Sequence, residues 1–473
     1  MEHCTRNSPH GDDTFKTFYE HSSAQRVNTT TLIARTLRDH YPQLKLVIVP
    51  VFNCDLFGYA SQTGKASFHS IKDDENNGKG VTQSLHLTAY SPPVRRTGQG
   101  FLVEQLLLDK FSYSWNNHQL VIYLVDGRDG TSSYPQEQMF YILTPKEPIA
   151  EALISEAGRW SSELHNEVWV FDSGYWQKSA ELFESAMQGS WDNVILDPDM
   201  KKALINDHTT FFQSKNKYLS LKVPWKRGVI YYGPPGNGKT ISIKAMMHHL
   251  YNLEDPIPTL YVRSLTSSGG SEYSIKVIFE KARMMSPCYL VLEDLDSIIT
   301  DHVRSYFLNE VDGLKSNDGI FMVGSTNHLD RLDEGVSKRP SRFDRKYFFA
   351  DPNKKERIAY CHFWQTKLKD NRDIAFPDIL CDAIADITDK FSFAYMQEAF
   401  VAALLSIALD TDDRGELFEE EEKGRNCNDL KGKADQGWVN IAPLEEADDM
   451  EKYPLWIAIK KHVHILREGM KGK

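Results

Sequence analysis

The sequence predicts an α/β protein: a parallel sheet flanked by helices, with a small helical domain after it and an α+β domain before it. Two patterns predict this. Between Trp191 and about Asp351, short apolar runs alternate with helical spacing, as in strands joined by crossover helices. From 352 to 410 the spacing is mostly helical. The chain has 473 residues and is 41% hydrophobic, enough for two or three cores.

Residues 1–40 read as a polar lead with a helix near Thr30–Asp39. An N-terminal α+β domain is expected over 41–188. Its strands are Leu44–Phe52, Ser84–Tyr90, His118–Val125, Met139–Leu143 and Val168–Phe171, and Pro148–Leu164 is a helix. Ser84–Tyr90 alternates Leu85, Leu87 and Ala89 with polar neighbours, which predicts a half-buried strand. Asp73–Gly80 has the composition of an exposed loop. Nothing in this domain discloses a chemistry.

The parallel sheet is expected within 189–352, from Gly228–Tyr232, Thr259–Arg263, Tyr289–Glu293, Ile320–Ser325 and Lys346–Phe349. A helical domain follows over 353–411. Residues 412–449, with Glu419–Glu422, read as a charged, solvated linker. Residues 450–473 close the chain with an amphipathic helix at Tyr453–Glu468.

Lys and Arg total 55 and Asp and Glu total 66, a formal net charge of −11. That balance argues against a non-specific nucleic-acid binder. Cys4, Cys54, Cys288, Cys361, Cys381 and Cys427 are scattered with no Cys-x-x-Cys pair, so reduced thiols are expected rather than disulfides or a zinc site. No stretch approaches the ~18–20 apolar residues of a membrane span. The first residues lack an apolar signal core and an Arg-rich, acid-poor transit pattern. These features lead to the expectation of a soluble intracellular protein, in the cytoplasm or nucleus rather than the mitochondrion.

The chemistry begins at Gly233-Pro234-Pro235-Gly236-Asn237-Gly238-Lys239-Thr240, which matches G-x-x-x-x-G-K-[ST] at every fixed position. Glycines let backbone amides turn inward around phosphates. Lys239 supplies a cation for the β and γ oxygens, and the Thr240 hydroxyl a ligand for Mg2+. An apolar strand precedes the loop, and the helical run Ile241–Leu250 follows it, so the positive end of a helix faces the anion. ATP with Mg2+ is the expected ligand.

A second motif should supply carboxylates from another strand. Tyr289-Leu290-Val291-Leu292-Glu293-Asp294-Leu295-Asp296 fits, with four apolar residues followed by two adjacent acids. One carboxylate, Glu293, suits the metal shell and the next, Asp294, suits polarising the attacking water. The usual order in such sites is Asp then Glu; here it is reversed.

With these two motifs the chain resembles the AAA+ family. The resemblance implies that 189–352 is the large nucleotide-binding domain and 353–411 its helical lid. In Gly324-Ser325-Thr326-Asn327, Asn327 resembles the sensor that orients water and the γ-phosphate. Ser337-Lys338-Arg339-Pro340-Ser341-Arg342-Phe343-Asp344-Arg345 resembles the segment whose two arginines reach a neighbouring subunit's nucleotide, a role the resemblance carries to Arg339 and Arg342. A homo-oligomeric ring follows from that role.

A closer resemblance is to the Bcs-type branch, mitochondrial chaperones that assemble the Rieske iron–sulfur protein. It rests on the Glu293–Asp294 order, on the lead from Trp191 through Pro224-Trp225-Lys226-Arg227, and on Thr326–Asp333. That branch carries an N-terminal membrane helix, and this sequence shows none, so a respiratory-chain role does not transfer. In many AAA+ unfoldases an aromatic residue grips the client. The corresponding loop here, Ser267-Ser268-Gly269, has none, and Tyr273 comes later. Pulling a polypeptide hand over hand is therefore not supported, while moving a folded client stays open. The expected function is an oligomeric ATPase that remodels or translocates a protein client. A nucleotide-gated binding scaffold with weak hydrolysis is the alternative, and a nucleic-acid remodeller is disfavoured.

Overall fold

A computed structural model of the chain describes residues 14–25, 27–71, 84–93, 96–127, 138–312, 315–337, 342–371, 374–416 and 450–471. The chain divides into two compact units, Met1–His165 and Asn166–Lys473.

The first unit contains α1 (Thr14–Ser23), α2 (Thr29–His40), β1 (Lys45–Pro50), α3 (Leu56–Thr63), β2 (Ala66–Ser70), β3 (Leu85–Ser91), β4 (Phe101–Trp115), β5 (His118–Asp126), β6 (Gln138–Thr144) and α4 (Glu147–Ser162). Its strands form one antiparallel sheet in the order β1-β6-β5-β4-β2, with β3 paired to β4. Alternation along the strands sorts the side chains. Phe111, Tyr113, Leu120 and Ile122 pack with Leu56 and Tyr59 of α3 and Leu153 and Ala157 of α4. Tyr141 and Leu143 pack with Ala34 and Leu37 of α2. The strand read at Ser84–Tyr90 is present, but β3 is exposed along nearly its whole length instead of half-buried. It pairs with Phe101–Leu108 of β4, whereas the β4–β5 ladder begins only at Leu108. Beyond that point the two strands form a mostly exposed ribbon, with Leu106 still packed against the core. The loop expected at Asp73–Gly80 lies outside the described residues.

The second unit carries a seven-stranded sheet. Its strands are β7 (Val168–Asp172), β8 (Tyr175–Ser179), β9 (Arg227–Tyr232), β10 (Thr259–Val262), β11 (Cys288–Leu292), β12 (Ile320–Thr326) and β13 (Arg345–Phe348), in the order β13-β9-β12-β11-β10-β7-β8. Every pairing is parallel except β7 with β8. The helices are α5 (Ala180–Met187), α6 (Pro198–Gln213), α7 (Lys215–Leu221), α8 (Lys239–Tyr251), α9 (Ser271–Met284), α10 (Leu295–Ile298), α11 (Asp301–Asp312) and α12 (Glu334–Ser337). Both faces of the sheet's interior are covered, which is why the inner strands β9 to β12 read as nearly continuous apolar runs, unlike the edge strands β8 and β13. Ile230, Leu260, Leu290 and Met322 face α9 and α11, whereas Val229, Tyr231, Val291 and Val323 face α6 and α8.

The five predicted strands are all present. Val168–Phe171, read as part of the 41–188 domain, instead continues this sheet: β7 pairs in parallel with β10, Leu260 opposite Trp169. An apolar run announces a strand but not its partner, and this partner lies about ninety residues on.

The unit ends in α13 (Lys354–Lys367), α14 (Asp378–Ile387), α15 (Phe393–Glu416) and α16 (Pro454–Lys471). They share one core around Trp364, Phe400, Leu455 and Ile459, so the closing helix belongs to the helical part. Helix α15 runs to Glu416, into the first residues of the expected linker. The rest of that segment, with Glu419–Glu422, lies outside the described residues. Among the described residues no helix is long and apolar enough to cross a membrane.

Candidate functional site

The site lies at the carboxyl ends of β9, β11 and β12, where open α/β sheets bind ligands. Residues 233–238 turn β9 into α8 with Gly233, Gly236 and Gly238 at φ 142°, 80° and 94°, a region that L side chains avoid. Gly233 passes close to the strand leaving the sheet: a Cβ there would lie 2.3 Å from the carbonyl oxygen of Phe349. Gly236 passes the start of α15, where a Cβ would come within 2.5 Å of the Ala394 Cβ. The Ala394 N–H donates to the Gly236 carbonyl at 3.2 Å, which ties the loop to the helical domain. Asn237 is buried and donates from Nδ2 to Asp351 at 2.8 Å. Pro234 is partly buried and Pro235 exposed.

Helix α8 begins at Lys239 without a side-chain cap, so its first amides remain available to an anion. Lys239 is buried, and its Nζ donates to the carbonyls of Gly233 at 2.7 Å and Pro234 at 2.8 Å. Burial pushes its ammonium down from the usual lysine range, and the charge of Asp294 opposes this. The phosphate loop and the acidic motif therefore act on each other. Thr240 is exposed.

Glu293 and Asp294 leave the end of β11 in different environments. The Tyr261 phenol donates to Glu293 Oε2, while Glu293 Oε1 is buried without a hydrogen-bond partner. Asp294 is exposed and sits at φ 52°, a left-handed turn that Asp tolerates better than most side chains. Its backbone N–H donates to Ser325 Oγ at 3.3 Å, and Thr326 Oγ1 donates to Asp296 at 2.6 Å. These two bonds lock the end of β11 to the end of β12, immediately before Asn327. Asn327, Gly233 and Pro234 line one cavity of about 590 Å³ with Tyr232, Lys346 and Phe348. For a divalent metal ion the donor chemistry fits: Glu293 Oε1 is a buried carboxylate oxygen lacking a partner, and Thr240, an exposed hydroxyl residue, directly follows Lys239.

Arg342 is held within its own chain. Its side chain is 9% exposed; Nε donates to Asp312 at 2.7 Å and Nη1 to the Gly335 carbonyl at 2.5 Å. The resemblance sends this guanidinium to a neighbouring subunit, but here it is turned inward, because Asp312 at the end of α11 offers it a charged partner. Arg339 lies outside the described residues. The loop at 267–269 also gains an aromatic neighbour: Tyr273, in the first turn of α9 and 51% exposed, lies against Gly269.

Sequence reasoning missed Tyr261, the Ser325 and Thr326 bonds, and the contact of Gly236 with Ala394. Asp296 lay within the motif, and a residue near the carboxyl end of a predicted strand is where a site helper belongs. No local pattern marks Tyr261 or Ala394.

Residues 229–351 match the family described as "ATPase family associated with various cellular activities (AAA)". The curated relatives it resembles include three named "Peroxisomal ATPase PEX6". That of Candida glabrata is 28% identical over 257 residues, 49% of this chain and 24% of the relative. That of Kluyveromyces lactis is 29% identical over 301 residues, 56% and 29%. That of Eremothecium gossypii is 28% identical over 209 residues, 40% and 20%. The chain spans about a quarter of the length of these relatives. Residues 229–351 therefore match an AAA ATPase domain, which implies ATP hydrolysis.

Proposed function

We propose that this chain works as an oligomer and couples ATP hydrolysis to remodelling or translocating a protein client. The observation that carries the hydrolytic part is the pair at the end of β11: a half-held Glu293 carboxylate with one buried oxygen to spare, beside an exposed Asp294 whose charge acts on Lys239.

In this reading the amides of 233–238 and the start of α8 cradle the phosphates. Lys239 exchanges its two loop carbonyls for phosphate oxygens, a stronger charge-assisted contact. Thr240 and Glu293 would hold Mg2+, which would supply positive charge to offset that of the phosphates. Asp294 accepts a hydrogen bond from the attacking water and aligns it with the γ-phosphate. Asn327, fixed by the Ser325 and Thr326 bonds, donates to the same water or to the phosphate. Arg339 and Arg342 are the candidates for the contact across a subunit interface, Arg342 by exchanging its bond to Asp312 for the neighbour's phosphate.

The protein client is supported by the resemblance to AAA+ and Bcs-type chaperones, which the Glu293–Asp294 order favours. The matched relatives are named peroxisomal ATPases, so peroxisomal proteins are the first clients to test. The decisive experiment uses Asp294→Asn. It should bind ATP as wild type does, hydrolyse it poorly, and retain in the presence of ATP a client that wild type releases. Strong phosphate release with no client enriched on the ATP-bound variant would remove the client half of the proposal. ATP binding by the wild type with negligible turnover would replace it with the nucleotide-gated scaffold.

A further inference from the structure

We infer that Tyr261 is a positioning residue for the ATPase reaction, acting through Glu293. The inference rests on the reading of Glu293 as a metal-holding carboxylate.

Strands β10 and β11 are parallel neighbours with Tyr261 opposite Val291. In a parallel pair, facing residues point to the same side of the sheet, and Glu293 is two residues beyond Val291 on that side. It is the side that packs on α8, since Val291 and Tyr261 both belong to the core that holds Ile243 and Met246. The phenol, partly buried, points along the strand and donates to Glu293 Oε2. Oε1 is left buried and unpartnered.

This division has a chemical consequence. A glutamate has one more rotatable bond than the aspartate usual at this point of the strand. A buried donor on one oxygen removes that freedom and leaves the second oxygen as the acceptor. Tyr261 therefore offsets the reach of the longer side chain: it fixes the rotamer and selects the atom. Outer partners of metal-holding carboxylates commonly matter this much. Phenylalanine has the same ring and lacks only the donor, so it isolates the bond.

The test uses the full chain with Tyr261→Phe and Glu293→Gln, singly and together. The first readout is the magnesium concentration that half-maximally tightens ADP binding. The second is kcat against KM for ATP. Tyr261→Phe should raise the magnesium requirement about tenfold and lower kcat with little change in KM. Added to Glu293→Gln it should cost little further, because the amide can still accept the phenol but the metal-holding carboxylate that Tyr261 positions is already gone. Glu293→Asp restores the shorter side chain usual at this point, which needs no such offset, so adding Tyr261→Phe to it should cost little; Tyr261→Leu serves if Tyr261→Phe does not fold.

A wild-type magnesium requirement in Tyr261→Phe, with Glu293→Gln impaired, overturns the inference and leaves the reading of Glu293 standing. Equal losses from Tyr261→Phe in both backgrounds overturn it too, since they mark general damage to the core. An unaltered magnesium requirement in Glu293→Gln removes both.

Discussion

Arg342 and Asp312 form an ion pair inside one chain, the arginine buried and the aspartate partly so, with Nε 2.7 Å from Oδ2. Asp312 also accepts from Lys226 Nζ at 3.0 Å, and Arg342 donates to the Gly335 carbonyl. The pair thus joins the end of α11 to the segment around α12 and to the start of β9. Truncating one partner of a buried pair strands the other, which typically costs about 3–5 kcal/mol. Lys226 remains beside Asp312, so Arg342→Ala should lose about 3 kcal/mol, at the lower end of that range. Urea unfolding of the nucleotide-free protein measures this directly. A wild-type midpoint would mean the pair adds nothing to stability.

Lys239 and Asp294 should separate binding from hydrolysis. The Lys239 ammonium is already desolvated and held by carbonyls only, so exchanging them for phosphate is favourable. Lys239→Ala removes a charge-assisted contact of about 1.5–3 kcal/mol and should weaken ATP binding by at least about tenfold. Asp294→Asn keeps the backbone bond to Ser325 and the shape of the side chain. It should leave ATP affinity near wild type and reduce turnover by about 10²-fold or more. Equilibrium binding with a fluorescent nucleotide, beside steady-state phosphate release, reads both. Normal turnover in Asp294→Asn would transfer its role to Glu293.

Gly236 meets two constraints that can be pulled apart. At φ 80° a side chain is strained, by about 1–2 kcal/mol. Independently, its Cβ would collide with Ala394 of α15 at 2.5 Å. Gly236→Ala should weaken nucleotide binding and push the helical domain off the phosphate loop. Adding Ala394→Gly removes the collision but not the backbone strain, so affinity should recover in part. Calorimetric titration of ATP into the two variants tests this. Full recovery would show that the loop tolerates the strain, and no recovery that the contact with α15 is unimportant.

What was legible in the sequence was what local patterns encode. Gly233–Thr240 and Tyr289–Asp296 disclose themselves because a phosphate loop and a carboxylate strand need those residue types at those spacings. Four of the five predicted strands, β9 to β12, were readable because burial on both faces makes each a nearly continuous apolar run, as in Val229–Tyr232; the edge strand β13, RKYF, is mostly exposed. The fifteen-residue β4 was not read, because Glu104, Gln105 and Asp109 interrupt its apolar residues. The eight-residue α3, LFGYASQT, spans only about two turns and shows little periodicity. The placement of β7, the inward turn of Arg342 and the bond from Tyr261 to Glu293 are pairings between distant residues. Single-sequence patterns carry no information about which distant residue becomes the partner.

His208 gives the second unit a pH dependence of predictable sign. It is fully buried on α6; Nδ1 lies 2.8 Å from the Leu204 carbonyl, Nε2 lies 3.4 Å from the Tyr231 hydroxyl, and the ring stacks on Phe321 at 4.1 Å. Burial pushes its pKa from the ordinary 6.5 down to about 3; the charges of His249 and Arg227 act in the same direction, and the bond to Leu204 opposes them. The folded protein therefore keeps His208 neutral while the unfolded chain takes up a proton as the pH falls through 6.5. Its contribution to stability is full above that pH and is lost progressively down to about 3. His208→Phe retains the stacking on Phe321 and removes the titration. Between pH 6.5 and 5, above most carboxylate titrations, the wild type should lose stability faster than the variant, by up to about 1.4 kcal/mol per pH unit once the unfolded histidine binds its proton. Urea unfolding at several pH values across that window gives the two slopes. Parallel slopes would mean that His208 takes up its proton in the folded state as readily as in the unfolded one.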